Sequence, residues 1–169
     1  MFLFSFYCLW GIAVSITAYN DDCGKVNEYL LRAACKNNSP IVKDTYFSAS
    51  TKQSTTLSAQ NQKIIFDDVL VNRGNAYDKS TGVFTCPRRG DYKFSFTILK
   101  TISAASHILL MVNNNRQLLT YTPGRHNRET HNGDIILSLQ RGDKVYLQGR
   151  EKGMGIHGNR CSMFSGMSL

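Results

Sequence analysis

The stretch of sequence that decides the fold is GDYKFSFT, residues 90–97. Tyr92, Phe94 and Phe96 occupy every second position, and polar residues stand between them. Because successive side chains of a β-strand point to opposite faces, this alternation places three aromatic rings on one face of a strand. A helix would distribute the same rings around its circumference. We therefore predict a half-buried β-strand over residues 91–100.

The sequence on both sides of this strand has the pattern of short apolar runs and turns that is typical of an all-β domain. From Tyr46 onward, short runs rich in Ile, Val, Phe, Tyr and Thr alternate with Gly, Asn and Asp turns about every eight to twelve residues. Residues 113–116 and 140–143 are predicted to form tight hairpin turns. We predict further strands over residues 45–50, 62–71, 82–86, 106–113, 116–122, 131–139, 143–149 and 161–169.

A longer pattern of fixed residues surrounds the aromatic strand. It consists of Phe66, Asn72, Tyr77, Phe84, Gly90, Tyr92, Phe94 and Phe96, followed near the C-terminus by Phe164 and Gly166. This spacing resembles the signature of the C1q globular-head domain family, and the resemblance covers residues 44–169. It implies an all-β fold, a ten-strand jelly-roll sandwich that is shared with the tumour necrosis factor superfamily and assembles as a trimer.

The signature residues are suited to core and scaffold positions. The alternating aromatic residues build one face of a sheet, Gly90 suits the turn before the strand, and Asn72 suits a turn held by side-chain hydrogen bonds. The resemblance implies a binding head, as in complement recognition, adipokine-like signalling, matrix heads and invertebrate pattern recognition. Three prolines and 13 glycines without a Gly-X-Y period leave no collagen stem within this chain. We therefore expect the short, secreted, head-only type.

Residues 1–18 are predicted to be a secretory signal peptide. The apolar run FLFSFYCLWGIAVSI over residues 2–16 carries no charge and ends before a small-residue cleavage site at Ala18. The run is short and no basic flank follows, so a retained membrane span is not expected. Residues 19–43 are predicted to form a short helical segment and a linker, and the globular domain takes residues 44–169. We expect a secreted, extracellular protein.

Four cysteines remain after cleavage of the signal peptide, in an oxidising compartment: Cys23, Cys35, Cys86 and Cys161. Strand parity places Cys86 at the end of the sandwich near the N-terminus and Cys161 at the far end, so we expect no bond between them. Cys23 and Cys35 are expected to link chains into higher oligomers, or one of them to reach Cys86. Buried free thiols are the alternative for Cys86 and Cys161. Asn37 begins an acceptor sequence for N-glycosylation.

The charge distribution points to anionic partners. The chain carries 20 Lys and Arg against 12 Asp and Glu, a net charge of +8. Strand parity places segments 101–105, 122–130 and 150–160, which we call the distal loops, at the end away from the N-terminus. Beside Tyr121, these loops carry the candidate ligand-binding residues Arg125, His126, Arg128, Arg150 and Lys152. Converging cations there would suit the carboxylates, phosphates or sulfates of anionic glycans or lipopolysaccharide. The alternative is a scatter of solvated charges.

No sequence pattern indicates catalysis. His107, His126, His131 and His157 lack the spacing of metal ligands, and no nucleophile or phosphate-binding motif is present. Several members of the family bind calcium near the trimer axis, so calcium stays open as a cofactor without assignable ligands; no nucleic-acid module is present. The sequence predicts a secreted, trimeric, non-enzymatic recognition protein of innate immunity, lectin-like in its binding of anionic microbial or cell-surface molecules. A cytokine-like or extracellular-matrix ligand for a host receptor is the alternative.

Overall fold

The fold is known from a computed structural model, which describes residues 44–169. These residues form strands and turns and contain no helix. The predicted signal peptide, N-terminal helix and linker, together with Cys23, Cys35 and Asn37, lie outside the described residues. Within residues 44–169 the strands are β1 (Tyr46–Ser50), β2 (Thr55–Thr56), β3 (Gln62–Lys63), β4 (Asp68–Arg73), β5 (Tyr77–Asp78), β6 (Val83–Thr85), β7 (Gly90–Leu99), β8 (Ser106–Val112), β9 (Asn115–Thr122), β10 (Thr130–Leu139), β11 (Lys144–Gly149), β12 (Gly155–Ile156) and β13 (Met163–Ser168).

Most of the strands belong to two sheets that face each other. The first sheet has the order β10-β7-β13-β1-β4, and the second has the order β5-β6-β11-β8-β9 with β3 beside β11. Strands β2 and β12 pair separately. Every pairing is antiparallel. The prediction of an all-β jelly-roll sandwich is confirmed, with thirteen strand segments over residues 44–169 because short two-residue pairings interrupt the longer strands.

Aromatic side chains fill the space between the sheets. Tyr92 and Phe94 of β7 have no exposed surface, and burial of one such ring contributes about 1.5–3 kcal/mol. The ring of Phe47 stacks on that of Tyr77 with centroids 4.6 Å apart. Gly166 lies where a Cβ would come within 2.6 Å of the Phe94 ring, so the packing leaves room only for hydrogen. The signature aromatics therefore serve as core residues, as the sequence predicts.

Asn72 and Tyr77 hold the connection between the two sheets. The Asn72 side-chain amide donates to the backbone oxygen of Tyr77 at 2.7 Å, and its oxygen accepts from the backbone nitrogen of Tyr77 at 3.2 Å. The Tyr77 hydroxyl donates in turn to the backbone oxygen of Phe66 at 3.1 Å, and its burial raises the pKa of the phenol. Three signature residues thus form one bonded unit. The expectation that Asn72 would hold a turn by side-chain hydrogen bonds is confirmed.

The local predictions for one strand and two turns can be compared with the structure, and they are only partly correct. Residues 62–71 do not form one strand, because β3 pairs with β11 in the second sheet while β4 pairs with β1 in the first, and the chain crosses between sheets at the buried Phe66. Residues 113–116 form the predicted hairpin, with Asn113 and Asn114 at positive φ. Residues 140–143 form a β-turn but no hairpin, since β10 and β11 belong to different sheets. Gly90 is the first residue of β7 and has no positive φ.

Candidate functional site

The distal loops meet at one end of the sandwich. The N-terminal strand begins with Tyr46 opposite Met167, whereas β13 begins at the other end, with Met163 opposite Thr97. Segment 101–105 therefore leaves β7 at the end away from Tyr46. The backbone nitrogen of Thr101 donates to the backbone oxygen of Gly155 at 3.0 Å, which joins the first loop to the third. The Ser103 hydroxyl donates to the Asn127 side chain, which joins the first loop to the second. The prediction that the three loops share one end is confirmed.

A buried ion pair lies beneath these loops. The Lys100 side chain is fully buried, and its Nζ lies 2.6 Å from Oε2 of Glu129. The same Nζ donates to the backbone oxygen of Ala104 at 2.8 Å. Lys100 therefore connects the 101–105 loop to the residue that precedes β10. Because charges leave water at a cost, such a pair is stable only when the remaining donors and acceptors are also satisfied.

The Glu129 carboxylate also fixes the backbone of the 122–130 loop. It accepts hydrogen bonds from the backbone nitrogens of Gly124, Arg125 and His126 at 3.0, 2.9 and 3.2 Å. Lys100 first, and then these amides, lower the pKa of Glu129 to about 2. A Cβ at Gly124, whose φ is +78°, would lie 2.2 Å from the backbone carbon of Ala104. The loop backbone is thus set by internal contacts, and its amides are occupied.

His131 is a second buried polar group at this end. It is 1% exposed, and its Nε2 lies 2.9 Å from the Ser106 hydroxyl and 3.2 Å from that of Thr122. Its Nδ1 lies 3.1 Å from the Thr120 hydroxyl. Desolvation, with Lys100 as the next cause, lowers the pKa of His131 to about 4. The imidazole is therefore neutral near pH 7.

The five candidate ligand-binding residues are exposed, and all belong to the 122–130 and 150–160 loops: Arg125, His126, Arg128, Arg150 and Lys152. None of them makes an ion pair with another residue of the 44–169 range. Two further loop residues are already engaged. The Arg160 Nε donates to Asp68 at 2.8 Å and holds the pKa of that carboxyl below its usual range. The His157 Nδ1 contacts the neighbouring Gly158 oxygen at 3.0 Å.

Arg150 belongs to a row of side chains on the outer face of the second sheet. Its backbone nitrogen donates to the backbone oxygen of His107 at 3.1 Å, and His107 pairs with Tyr121 on β9. The neighbouring pair, Ile108 and Gly149, is buried towards the core. Because strand residues alternate between faces, His107 and Tyr121 face outward, and Arg150 directly follows β11 at the position that continues this register.

The two cysteines of the described domain are free thiols. Cys86 is buried, and its Sγ lies 2.8 Å from the backbone oxygen of Arg88. Cys161 is partly exposed and lies two residues before β13. That Cys86 and Cys161 do not bond to each other stays a prediction, and of the two only Cys86 is buried.

Sequence reasoning missed the buried groups that support the loops. They are Lys100, Glu129 and His131 with its hydroxyl partners. One signal for Lys100 was present in the sequence, since it continues the even-numbered, core-facing positions of Tyr92, Phe94 and Phe96. Its partner is 29 residues away in sequence, as the numbers of Lys100 and Glu129 show. No pattern along the chain connects the two.

Within residues 44–169 no three His, Cys, Asp or Glu side chains lie close enough together to hold a metal ion. The same residues include no helix that is long and apolar enough to cross a membrane.

The chain is similar in sequence to several curated proteins. The chain is 36% identical to Caprin-2 of Danio rerio over 127 residues, which are 73% of this chain and 14% of that protein. It is 35% identical to Complement C1q tumor necrosis factor-related protein 3 of Mus musculus over 122 residues, 69% of this chain and 48% of that protein. The chain spans less than half the length of the curated relatives it matches.

Solved structures share the fold. The globular domain of the zebrafish complement 1qA protein superimposes with a TM-score of 0.62 at 20% identity, over 74% of this chain and 97% of that one. Murine APRIL superimposes with a TM-score of 0.62 at 8% identity, over 75% of this chain and 100% of that one. At these identities the likeness shows the fold alone.

The family assignment follows from the match over the described strands. The C1q domain family model matches residues 46–169, which begin with β1 and extend past β13. Proteins of this fold family form trimers and are generally ligand-binding proteins without catalytic activity. With its signature residues in the core and its sheets in the jelly-roll order, this chain belongs to the C1q domain family.

Proposed function

We propose that this chain is a secreted, trimeric recognition protein without enzymatic activity, which binds anionic groups of microbial or cell-surface glycans through its distal loops. The observation that carries the proposal is the set of four exposed loop cations without ion-pair partners among residues 44–169, with His126 beside them in sequence: Arg125, Arg128, Arg150 and Lys152. Exposed Arg side chains bind carboxylate, sulfate and phosphate through paired hydrogen bonds. The lectin-like role in innate immunity rests on this chemistry.

The frame beneath the cations supports binding by a preformed surface. Lys100 and Glu129 fix the loop that carries Arg125 and Arg128, as the hydrogen bonds to the loop amides show. A loop that is ordered before the ligand arrives loses less conformational entropy on binding. Because the amides are occupied, the arginine side chains are left to contact the ligand.

The outer face of the first sheet supports the trimer. Ile136, Met167 and Val71 expose 61, 48 and 39% of their surface there, which is unusual for large apolar side chains of a solvated sheet. A depression of about 470 Å³ with mostly apolar walls lies between β1, β13 and β7. A cross-strand row of small residues lets another surface approach closely: Ser48, Ser165 and Ser95. Three copies joined through this face would present three sets of loops, and weak sites would gain avidity against a repetitive surface.

Secretion is supported by the sequence of residues 1–18, which predicts a signal peptide. The acceptor sequence at Asn37 and the cysteines Cys23 and Cys35 are consistent with the same compartment. In this proposal Cys23 and Cys35 link chains into higher oligomers. Non-reducing electrophoresis of a Cys23→Ser, Cys35→Ser variant should show the loss of covalent oligomers, and their survival would refute that role.

The binding proposal is tested by removing the loop cations together. In a variant with Arg125, Arg128, Arg150 and Lys152 all changed to Ser, binding to sulfated and sialylated glycans on an array should be lost. A control with the same charge change uses four exposed cations outside the distal loops: Lys79, Arg89, Arg141 and Lys144. The control should bind as the parent protein does, with and without added calcium.

Two results would contradict the proposal. Unchanged glycan binding by the loop variant would exclude these cations, and equal losses in both variants would show that only the total charge matters. Binding through arginines should also weaken as salt is added, because screening acts on exposed charges. Tight, salt-insensitive binding of one trimer to a host receptor, without glycan affinity, would favour a cytokine-like or matrix ligand instead.

A further inference from the structure

Tyr121 is a large aromatic side chain that stands in the open at the edge of the distal loops. It is 55% exposed, although it lies within β9. Its ring centroid lies 4.9 Å from that of His107, with the two ring planes tilted by 41°. The Tyr121 ring therefore contacts the imidazole of His107 on one side, and more than half of the Tyr121 surface is accessible to solvent.

The imidazole that supports Tyr121 is itself fixed. The backbone nitrogen of His107 donates to Oε2 of Glu151 at 2.8 Å, and its Nδ1 lies 2.6 Å from Oε1 of the same carboxylate. Glu151 belongs to the 150–160 loop, so the loop and the aromatic pair form one unit. An exposed ring held in this way offers a flat apolar surface at little further cost in side-chain entropy.

A cation stands in the same row. Arg150 directly follows the last residue of β11, and its backbone nitrogen donates to the backbone oxygen of His107 at 3.1 Å. Lys152 follows two residues later and is exposed. The carboxylate of Glu151 between them is engaged by His107. The exposed ring of Tyr121 therefore lies at the same end of the second sheet as Arg150 and Lys152, which have no ion-pair partner among residues 44–169.

We propose that the ligand of the distal loops is an acidic sugar, whose ring packs on Tyr121 while its carboxylate or sulfate is held by Arg150. This inference rests on the proposed function and narrows it to ligands that combine a ring with an acidic group. A pyranose ring presents a face of C–H groups that suits an aromatic surface, and a linear polyanion has no such face. Charge alone would bind both kinds of ligand, but the row of Arg150, His107 and Tyr121 distinguishes them.

The experiment compares two anions on the full chain. One probe is a heparin-derived hexasaccharide, whose sugar rings carry carboxylates and sulfates, and the other is linear inorganic polyphosphate. Tyr121→Ala should weaken binding of the hexasaccharide about 10-fold, equivalent to about 1.4 kcal/mol, and change binding of polyphosphate less than about 2-fold. Tyr121→Phe keeps the ring and should retain hexasaccharide binding. Arg150→Ser should weaken binding of both probes.

Controls separate the inference from a folding defect and from the proposed function. Ile65→Ala removes an exposed apolar side chain outside the distal loops, 44% exposed, and should leave both affinities unchanged. Each variant should unfold at the temperature of the parent protein. Equal effects of Tyr121→Ala on the two probes, or no effect on the hexasaccharide, would overturn the inference while the cation site stands. Tyr121-dependent binding of a single-stranded oligonucleotide in preference to the hexasaccharide would also overturn it. Retained binding of both probes by the four-cation variant would instead refute the proposed function.

Discussion

The two ends of the sandwich are stabilised by different physical means. Near the N-terminal end, the ring of Phe47 packs against those of Tyr77 and Phe84, with centroids 4.6 and 5.5 Å apart. At the distal end, Lys100 with Glu129 and the hydroxyl-bonded His131 occupy buried positions. Packing of apolar rings does not depend on protonation, whereas buried charges and imidazoles do. The aromatic end therefore stabilises the fold by apolar packing, and the polar end sets the shape of the distal loops.

The largest effect should come from the aromatic core. Phe94→Ala removes a fully buried ring that packs between the sheets, and should lower the free energy of unfolding by about 4 kcal/mol. The loss should be the same at pH 7 and at pH 5, because no titratable group is removed. Chemical denaturation at the two pH values measures both quantities, and a loss that changes with pH would contradict the distinction between the two ends.

The buried ion pair should come next. Lys100→Met leaves the Glu129 carboxylate with only its three backbone amide partners, and should lower the free energy of unfolding by more than the loss of an exposed lysine does. The matched control is Lys79→Met, which removes an exposed lysine that lies off the proposed trimer face and makes no ion pair within residues 44–169. The control should cost less than about 0.5 kcal/mol. Denaturation curves measure both, and equal losses would show that Lys100 contributes no more than an exposed lysine.

Hydrogen exchange extends the same comparison to the loops. In Lys100→Met the amides of residues 124–126, which are bonded to Glu129, should exchange faster than in Lys79→Met. Unchanged protection of these amides would mean that Glu129 holds the loop without Lys100.

The smallest effect should be the response of His131 to acid. The pKa of His131 is about 4 in the folded chain, against an ordinary value of 6.5. Between these two pH values the unfolded chain therefore binds a proton that the folded chain does not bind. Stability from this group is therefore complete above pH 6.5, falls as the pH decreases towards 4, and changes no further below that. Between pH 7 and pH 5 the loss should be about 2 kcal/mol. The difference between the parent protein and His131→Gln, measured by denaturation at both values, isolates this group, and identical pH dependence would contradict the prediction.

The sequence is sufficient to predict the strands in which apolar and polar residues alternate. The alternation of Tyr92, Phe94 and Phe96 predicts β7 to within a residue at either end, since strand 91–100 is observed as Gly90–Leu99. It does not say which sheet a segment joins. Residues 62–71 were therefore predicted as one strand, although their two halves pair with partners in different sheets. The two-residue strands β2, β5 and β12 were missed because so short a run has no detectable period.

The candidate site likewise has a part that the sequence predicts, the loops and their cations, and a part that it does not, the buried groups that support them. Strand parity places the three distal loops at one end, and exposure of their cations follows from their charge. The supporting groups were not predicted, because Lys100 and Glu129 come together only through the tertiary fold. A buried lysine is also contrary to the ordinary preference of that residue for water. The pairing of Tyr121 with His107 likewise depends on register between β8 and β9, which the sequence alone does not set.

The three amides bonded to Glu129 have a consequence for how this protein could change over evolution. The backbone of the 122–130 loop owes its course to Glu129 and Gly124, so the side chains at Arg125, His126 and Arg128 have no part in shaping it. Substitutions at these three positions can alter what the surface prefers without a penalty in folding. Closely related copies of the gene could therefore diversify there quickly, while one unchanged scaffold carries many preferences.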